Sequence, residues 1–185
     1  MSKIKEGSLE GLLITQYYQE GINSEFYYNK ASIFRQHDLN GFYSLFKKQG
    51  EEEQAHKMKF FDYLMSRKVN LNASFEKIPK FVITKNDELI EIIKEALDNE
   101  KENSKRIKNL FVMAEAHGDY GVQDFLTWFI HEQDEEENKF NALYKAAKEN
   151  GVKKYDKFLP KTCNKSVGDK MKRPEETIER IDLKN

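Results

Sequence analysis

The chain has little that would cross-link it, break its helices or anchor it in a membrane. Cys163 is the one cysteine in 185 residues, which excludes an internal disulfide and any paired-cysteine metal or redox site. Three prolines and nine glycines leave little turn chemistry, which disfavours strand-and-turn architectures. No run of about 18 apolar residues exists, so no transmembrane helix is expected. The opening MSKIKEGS lacks the apolar core of a secretion signal, and a cytoplasmic protein is expected. Neither sign of charge dominates. Thirty-one Lys and Arg stand against 32 Asp and Glu, for a net charge of −1, so neither nucleic acid nor a membrane surface is indicated as a partner.

What the chain does have is charge and apolar residues together, 34% and 38% of the sequence, the composition of long amphipathic helices. Its length suits one domain with a tail. Residues 1–150 are expected to form the folded bundle. Residues 151–185 carry ten basic and six acidic side chains and read as a basic tail, loop or at most a short helix.

Apolar residues recur at spacings of three and four over four segments. The first runs from about Leu9 to Gln36, with Leu13, Tyr27, Ala31 and Phe34 on one face. A turn at 37–41 leads to a second helix, about Phe42 to Ser66, whose inner face is Phe42, Phe46, Gln49, Glu53, His56, Phe60 and Tyr63. The third covers about Asp87 to His117, with Asn86 or Asp87 as N-cap and Gly118 as the stop. The fourth covers about Gly121 to Glu149. Residues 67–86, broken by Pro79, are long enough to run the length of a bundle. The expected fold is therefore all-α, a four-helix bundle with a long crossover between helices two and three.

Each inner stripe carries polar residues near its middle: Glu20, then Glu53 and His56, then Glu100, then Gln133 and Glu136. Uncompensated buried carboxylates cost several kcal/mol each, against a whole-domain stability of about 5–15 kcal/mol. The spacing is regular as well. Glu20 to Glu53 and Glu100 to Gln133 are both 33 residues, with each turn near the midpoint. Two antiparallel hairpins thus place Glu20 level with Glu53 and Glu100 level with Gln133. Carboxylates and one imidazole converging between helices form a two-metal carboxylate constellation. Glu25, the other acidic candidate in helix one, lies about 140° around the helix from Glu20.

At these residues the chain resembles the ferritins, specifically the bacterial non-haem type, over residues 9 to about 150. The resemblance is carried by LNGF–LFKKQGEEEQAH (39–56) and FLTWFIHEQDEEE (125–137). It implies a first iron position at Glu20, Glu53 and His56, and a second at Glu53, Glu100 and Glu136. Gln133 corresponds to a glutamine that helps hold dioxygen or solvent, and Tyr27 to a tyrosine beside the dinuclear centre. A third iron position is implied at Glu52, Glu132 and Glu135. Trp128 matches the family's helix-four tryptophan and is read as packing. Haem is not implied, because no methionine lies in a haem-ligand context. Gln133-x-x-Glu136 stands where bacterioferritins and rubrerythrins repeat Glu-x-x-His. The departures are Tyr18, Gly21 and the polar, proline-containing tail in place of a channel-lining fifth helix.

The function implied is an iron-storage ferritin with ferroxidase activity. It would oxidise Fe(II) with dioxygen at two iron positions per subunit and keep Fe(III) mineral inside a homo-oligomeric, 24-subunit shell. Two other readings stay open: a ferritin-like diiron oxidase or metal-buffering protein that builds no cage, and a bundle with a vestigial site. His37, His117 and His131 read as turn or surface residues.

Overall fold

A computed structural model of the protein describes residues 7–69, 71 and 88–160. Among them the regular structure is helical: α1 Leu9–Gln36, α2 Asn40–Ser66, α3 Leu89–Ala116, α4 Tyr120–Asn150, a single turn α5 Val152–Tyr155, and a 3₁₀ turn Asp156–Phe158. None of these helices is long and apolar enough to cross a membrane.

Local chemistry sets the ends. Ser8 caps α1 by accepting from the Gly11 N–H at 3.2 Å. Asp119 does the same for α4, accepting from the Val122 N–H at 3.2 Å. It also takes both arms of Arg67 at 3.0 and 2.6 Å, which ties the end of α2 to the start of α4. Gly118 follows α3 at φ +64°, the left-handed conformation that ends helices most cheaply in glycine. The N-cap expected at Asn86 or Asp87 lies outside the described residues. The described start of α3 follows Glu88, whose side chain makes no capping hydrogen bond.

Cross-helix pairs fix the topology. Gln16 meets Asn103 and Lys30 meets Glu95, so α1 and α3 are antiparallel. Gln49 meets Glu136 and Arg67 meets Asp119, so α2 and α4 are antiparallel too. With α1–α2 and α3–α4 joined by tight turns, α2 and α3 run parallel. Their connected ends therefore lie at opposite ends of a bundle about 40 Å long. The connection from 67 to 88 can extend to about 70 Å, enough for the crossover; residues 70 and 72–87 of it lie outside the described set.

Two apolar cores fill the bundle, one at each end. The first is built round Tyr27, Phe34, Phe42, Phe46, Ile93 and Phe140. The second is built round Leu13, Phe60, Leu64, Ile107, Leu126 and Phe129. Between them, at mid-height, runs a layer of buried polar side chains. The inner faces follow the sequence pattern with one shift on α2: Leu64 is fully buried, while Tyr63 is half-buried and stacks on Phe125.

Residues beyond α4 return to the bundle. Leu39, at the head of α2, gives no side-chain cap. Asp156 supplies it from across the fold, its Oδ1 accepting from the Phe42 N–H at 2.8 Å. Gly41 makes room, since a Cβ there would lie 2.4 Å from the Asp156 carbonyl oxygen. Asp156→Ala is expected to cost about 1 kcal/mol, the usual value of a lost cap, or roughly 2–4 °C in melting temperature. Gly41→Ala should lower it at least as far; thermal melts that match the parent for both would refute the cap. The basic segment 161–185, Cys163 included, lies outside the described residues.

Candidate metal centre

The mid-height layer takes side chains from all four long helices. Glu20 (α1), Glu53 and His56 (α2), Glu100 (α3), Gln133 and Glu136 (α4), and Tyr27 are all buried, none more than 3% exposed. Helical spacing does this. Glu53 and His56 are one turn apart, as are Gln133 and Glu136, so each pair shares the inward face. Three sets of ligand atoms fall within 4.8 Å of one another: Glu20–Glu53–His56, Glu53–Glu100–Glu136 and His56–Glu132–Glu136.

The hydrogen bonds follow one pattern. Glu20 receives Gln16 Nε2 on Oε1 at 2.6 Å. Glu136 receives Gln49 Nε2 on Oε1 at 2.6 Å, and Glu53 receives the same amide more weakly at 3.4 Å. In each of the three carboxylates the other oxygen, Oε2, is buried without a hydrogen bond, as is His56 Nδ1, which lies 3.6 Å from Glu53 Oε2. An unpartnered buried ligand atom is costly. Four of them in one layer is the arrangement a cation repays. Glu100 differs, since Tyr27 donates to its Oε1 and Gln133 Nε2 to its Oε2 at 3.2 Å.

Without a cation these carboxylates cannot all be charged. Burial, then the neighbouring Glu53 charge, pushes Glu20 from 4.5 up to about 8. Burial and the Glu100 charge do the same to Glu53, up to about 8. Glu136 is pushed well above the usual carboxylate range by burial and by Glu100 and Glu53. Burial also raises Glu100, against the donors Tyr27 and Gln133. Tyr27 itself is raised by burial and by Glu100, so it stays a neutral donor.

Gln133 sits in the layer as a donor, because its carbonyl is engaged by Asn103 Nδ2 at 3.0 Å. The orientation is forced. Asn103 Oδ1 accepts from Arg106 Nη2 at 3.2 Å, and a guanidinium can only donate. The structure therefore does not bring the Gln133 oxygen into the cluster as a ligand atom.

The residues expected to form a third position are not brought together. Glu132 is half-buried, with Oε1 4.0 Å from His56 Nε2. Glu135, one residue before Glu136 and so about 100° round the helix, is exposed. Glu52 is 8% exposed and pairs with Lys48 at 2.9 Å and Lys139 at 3.3 Å. Trp128 is 39% exposed, its ring edge-on to His56 at 5.5 Å and covered by the Lys59 ammonium at 4.1 Å. His37, His117 and His131 are exposed. A Cβ at Gly21 would meet only the flexible Lys57 side chain, its Nζ at 3.1 Å.

Sequence reading missed Gln16, Asn103, Arg106 and Lys139. A usable signal was present for the amides: Gln16 precedes Glu20 by four residues, Gln49 precedes Glu53 by four, and Asn103 follows Glu100 by three. Each is one helical turn from a stripe carboxylate.

Residues 12–149 match the Ferritin-like domain family. A bacterial non-heme ferritin of Staphylococcus aureus is 30% identical over 144 residues, covering 70% of this chain and 85% of that protein. Its Staphylococcus epidermidis counterpart is 30% identical over 125 residues, covering 68% and 74%. Among solved structures, the open pore ferritin of the archaeon Archaeoglobus fulgidus superposes with a TM-score of 0.75 at 26% identity, over 85% of this chain and 98% of that one. The chain belongs to the ferritin family, and within it to the bacterial non-haem type.

Proposed function

We propose that the protein is an iron-storage ferritin whose subunit oxidises Fe(II) with dioxygen at a dinuclear site inside its own bundle. One observation carries this reading: Glu20, Glu53, Glu136 and His56 each turn an unpartnered buried ligand atom into one layer. Hard carboxylate oxygens with a single imidazole suit iron. Fe(II) is here the substrate. Two ions, one at Glu20–Glu53–His56 and one at Glu53–Glu100–Glu136, each lose one electron to dioxygen, and Fe(III) moves on to an interior mineral.

The chain's own groups prepare this. Glu53 belongs to both sets and bridges the positions. Gln16 and Gln49 anchor one oxygen of Glu20, Glu53 and Glu136, leaving the other to bind, which fixes rotamers before the ions arrive. Glu100 keeps one donor on each oxygen, Tyr27 and Gln133, and each oxygen retains a second lone pair for a cation. Protons leave Glu20 and Glu53 as iron enters, since both are protonated near neutrality in its absence. The assembly is a homo-oligomer of 24 subunits, and the cytoplasm is its compartment.

Loading Fe(II) in air and measuring shell mass by light scattering with iron per chain tests the storage reading. A shell near 24 chains holding many more irons than two per chain is expected. A monomer or dimer that stops at two irons would replace storage by a cage-free diiron protein; no iron uptake would remove the metal reading altogether.

A further inference from the structure

Beside the ligand layer, between α2 and α4, sit two charged side chains that the proposed oxidation does not use, Lys139 and Glu52. Lys139 follows Glu136 by one turn, and its Nζ donates both to Gln49 Oε1 and to Glu52 Oε2. An ammonium has three donors and no acceptor, so the Gln49 atom facing it must be the carbonyl oxygen. That fixes the other end of the same amide. Gln49 Nε2 faces inward, 2.6 Å from Glu136 Oε1 and 3.4 Å from Glu53 Oε1. The same ammonium holds Oε2 of Glu52, a buried carboxylate next in sequence to Glu53, whose Oε1 pairs with Lys48 at 2.9 Å. Among the described residues, no ligand set includes Glu52.

We propose that Lys139 is a positioning residue: its built-in positive charge turns the Gln49 amide toward the site as a donor and holds Glu52 away from cations, limiting the centre to two ions. The inference rests on the metal reading above. Three consequences follow from the geometry. Glu136 binds through Oε2 alone while Gln49 holds Oε1. A third ion beside Glu132 and Glu136 is one carboxylate short, because Lys48 and Lys139 take one oxygen of Glu52 each. The fixed charge one turn from Glu136 also repels any ion arriving from the α2–α4 side.

The test is calorimetric titration of the assembled full-length protein with Zn(II), which is redox-inert and so reports binding alone. The unmodified protein should take up two ions per chain with high affinity. Lys139→Met keeps the stem but removes charge and donors, releasing Glu52 Oε2 while Lys48 keeps Oε1; it should take up a third ion and bind the second about tenfold more tightly. Lys139→Arg keeps the donors and should restore two ions. Adding Glu52→Gln to Lys139→Met should abolish the third ion again. Melting curves that stay cooperative show that each variant is folded, and the arginine variant decides if the methionine variant is not. Two ions with unchanged affinities in Lys139→Met, or three in the unmodified protein, would overturn the proposal while leaving the metal reading intact. No binding in any of the proteins would overturn both.

Discussion

Changing Glu53 and His56 to alanine together is expected to lower the initial rate of Fe(II) oxidation by roughly 100-fold or more. Even outer partners of metal ligands are usually worth 10–100-fold, and this pair removes more than that. Glu53 is the carboxylate common to the two ligand sets, and His56 is the one imidazole in the layer. Losing both leaves the first position with Glu20 alone and the second with Glu100 and Glu136. The variant should nevertheless fold. Glu53 is a fully buried carboxylate facing Glu20 and Glu100, and a buried group opposed by like charges is weak support for stability. The iron-free double variant should melt no lower than the parent at pH 8 and above. Oxygen-consumption rates on shells of parental size check the prediction; an unchanged initial rate would remove these residues from the centre.

The second large effect is on stability against pH. Glu20 and Glu53 are raised from 4.5 to about 8 in the iron-free fold, while the unfolded chain titrates them near the ordinary value. Between those limits the folded state holds more protons than the unfolded one, so stability falls as pH rises. The loss starts above about 4.5 and is complete once pH passes about 8. Glu136 and Glu100, raised by the same burial, act in the same direction. The iron-free protein should therefore lose on the order of 10 °C of melting temperature between pH 5.5 and 8.5. Binding a divalent cation replaces protons, so the stabilisation from Zn(II) should be larger at pH 8.5 than at pH 5.5. Melting scans with and without Zn(II) at the two pH values check both signs. A flat profile for the iron-free protein would mean that water or a counter-ion relieves the buried charges.

Most of the fold could be read from the sequence because it depends on periodicity. Phe34, Phe46, Ile93 and Phe140 fall on stripes, and the turns near 38 and 118 stand where charge and glycine interrupt them. The equal 33-residue intervals pointed to the layer itself, because helical hairpins convert sequence distance into height. The chain also had features that periodicity does not carry. Asp156 caps α2 from 114 residues away, and no local pattern announces a cap from a distant segment. Tyr63 and Leu64 both fit an inner stripe within the spread of one helical turn, and packing against Phe125 chose between them. Gln133 was legible as a member of the layer but not as a donor. Its polarity depends on Asn103 and, through it, on Arg106, a half-buried guanidinium on α3. Lys139 was hidden in the same way. On α4 it reads as a solvated basic residue, and only the fold brings it to Gln49 and Glu52.

The central claim is that the polar layer between the two apolar cores holds a pair of metal ions. Anomalous diffraction at the iron edge from crystals soaked anaerobically in Fe(II) tests it most directly. Two peaks are predicted within each subunit, one among Glu20, Glu53 and His56 and the other among Glu53, Glu100 and Glu136. A layer without anomalous signal, while iron is bound elsewhere on the protein, would contradict the account.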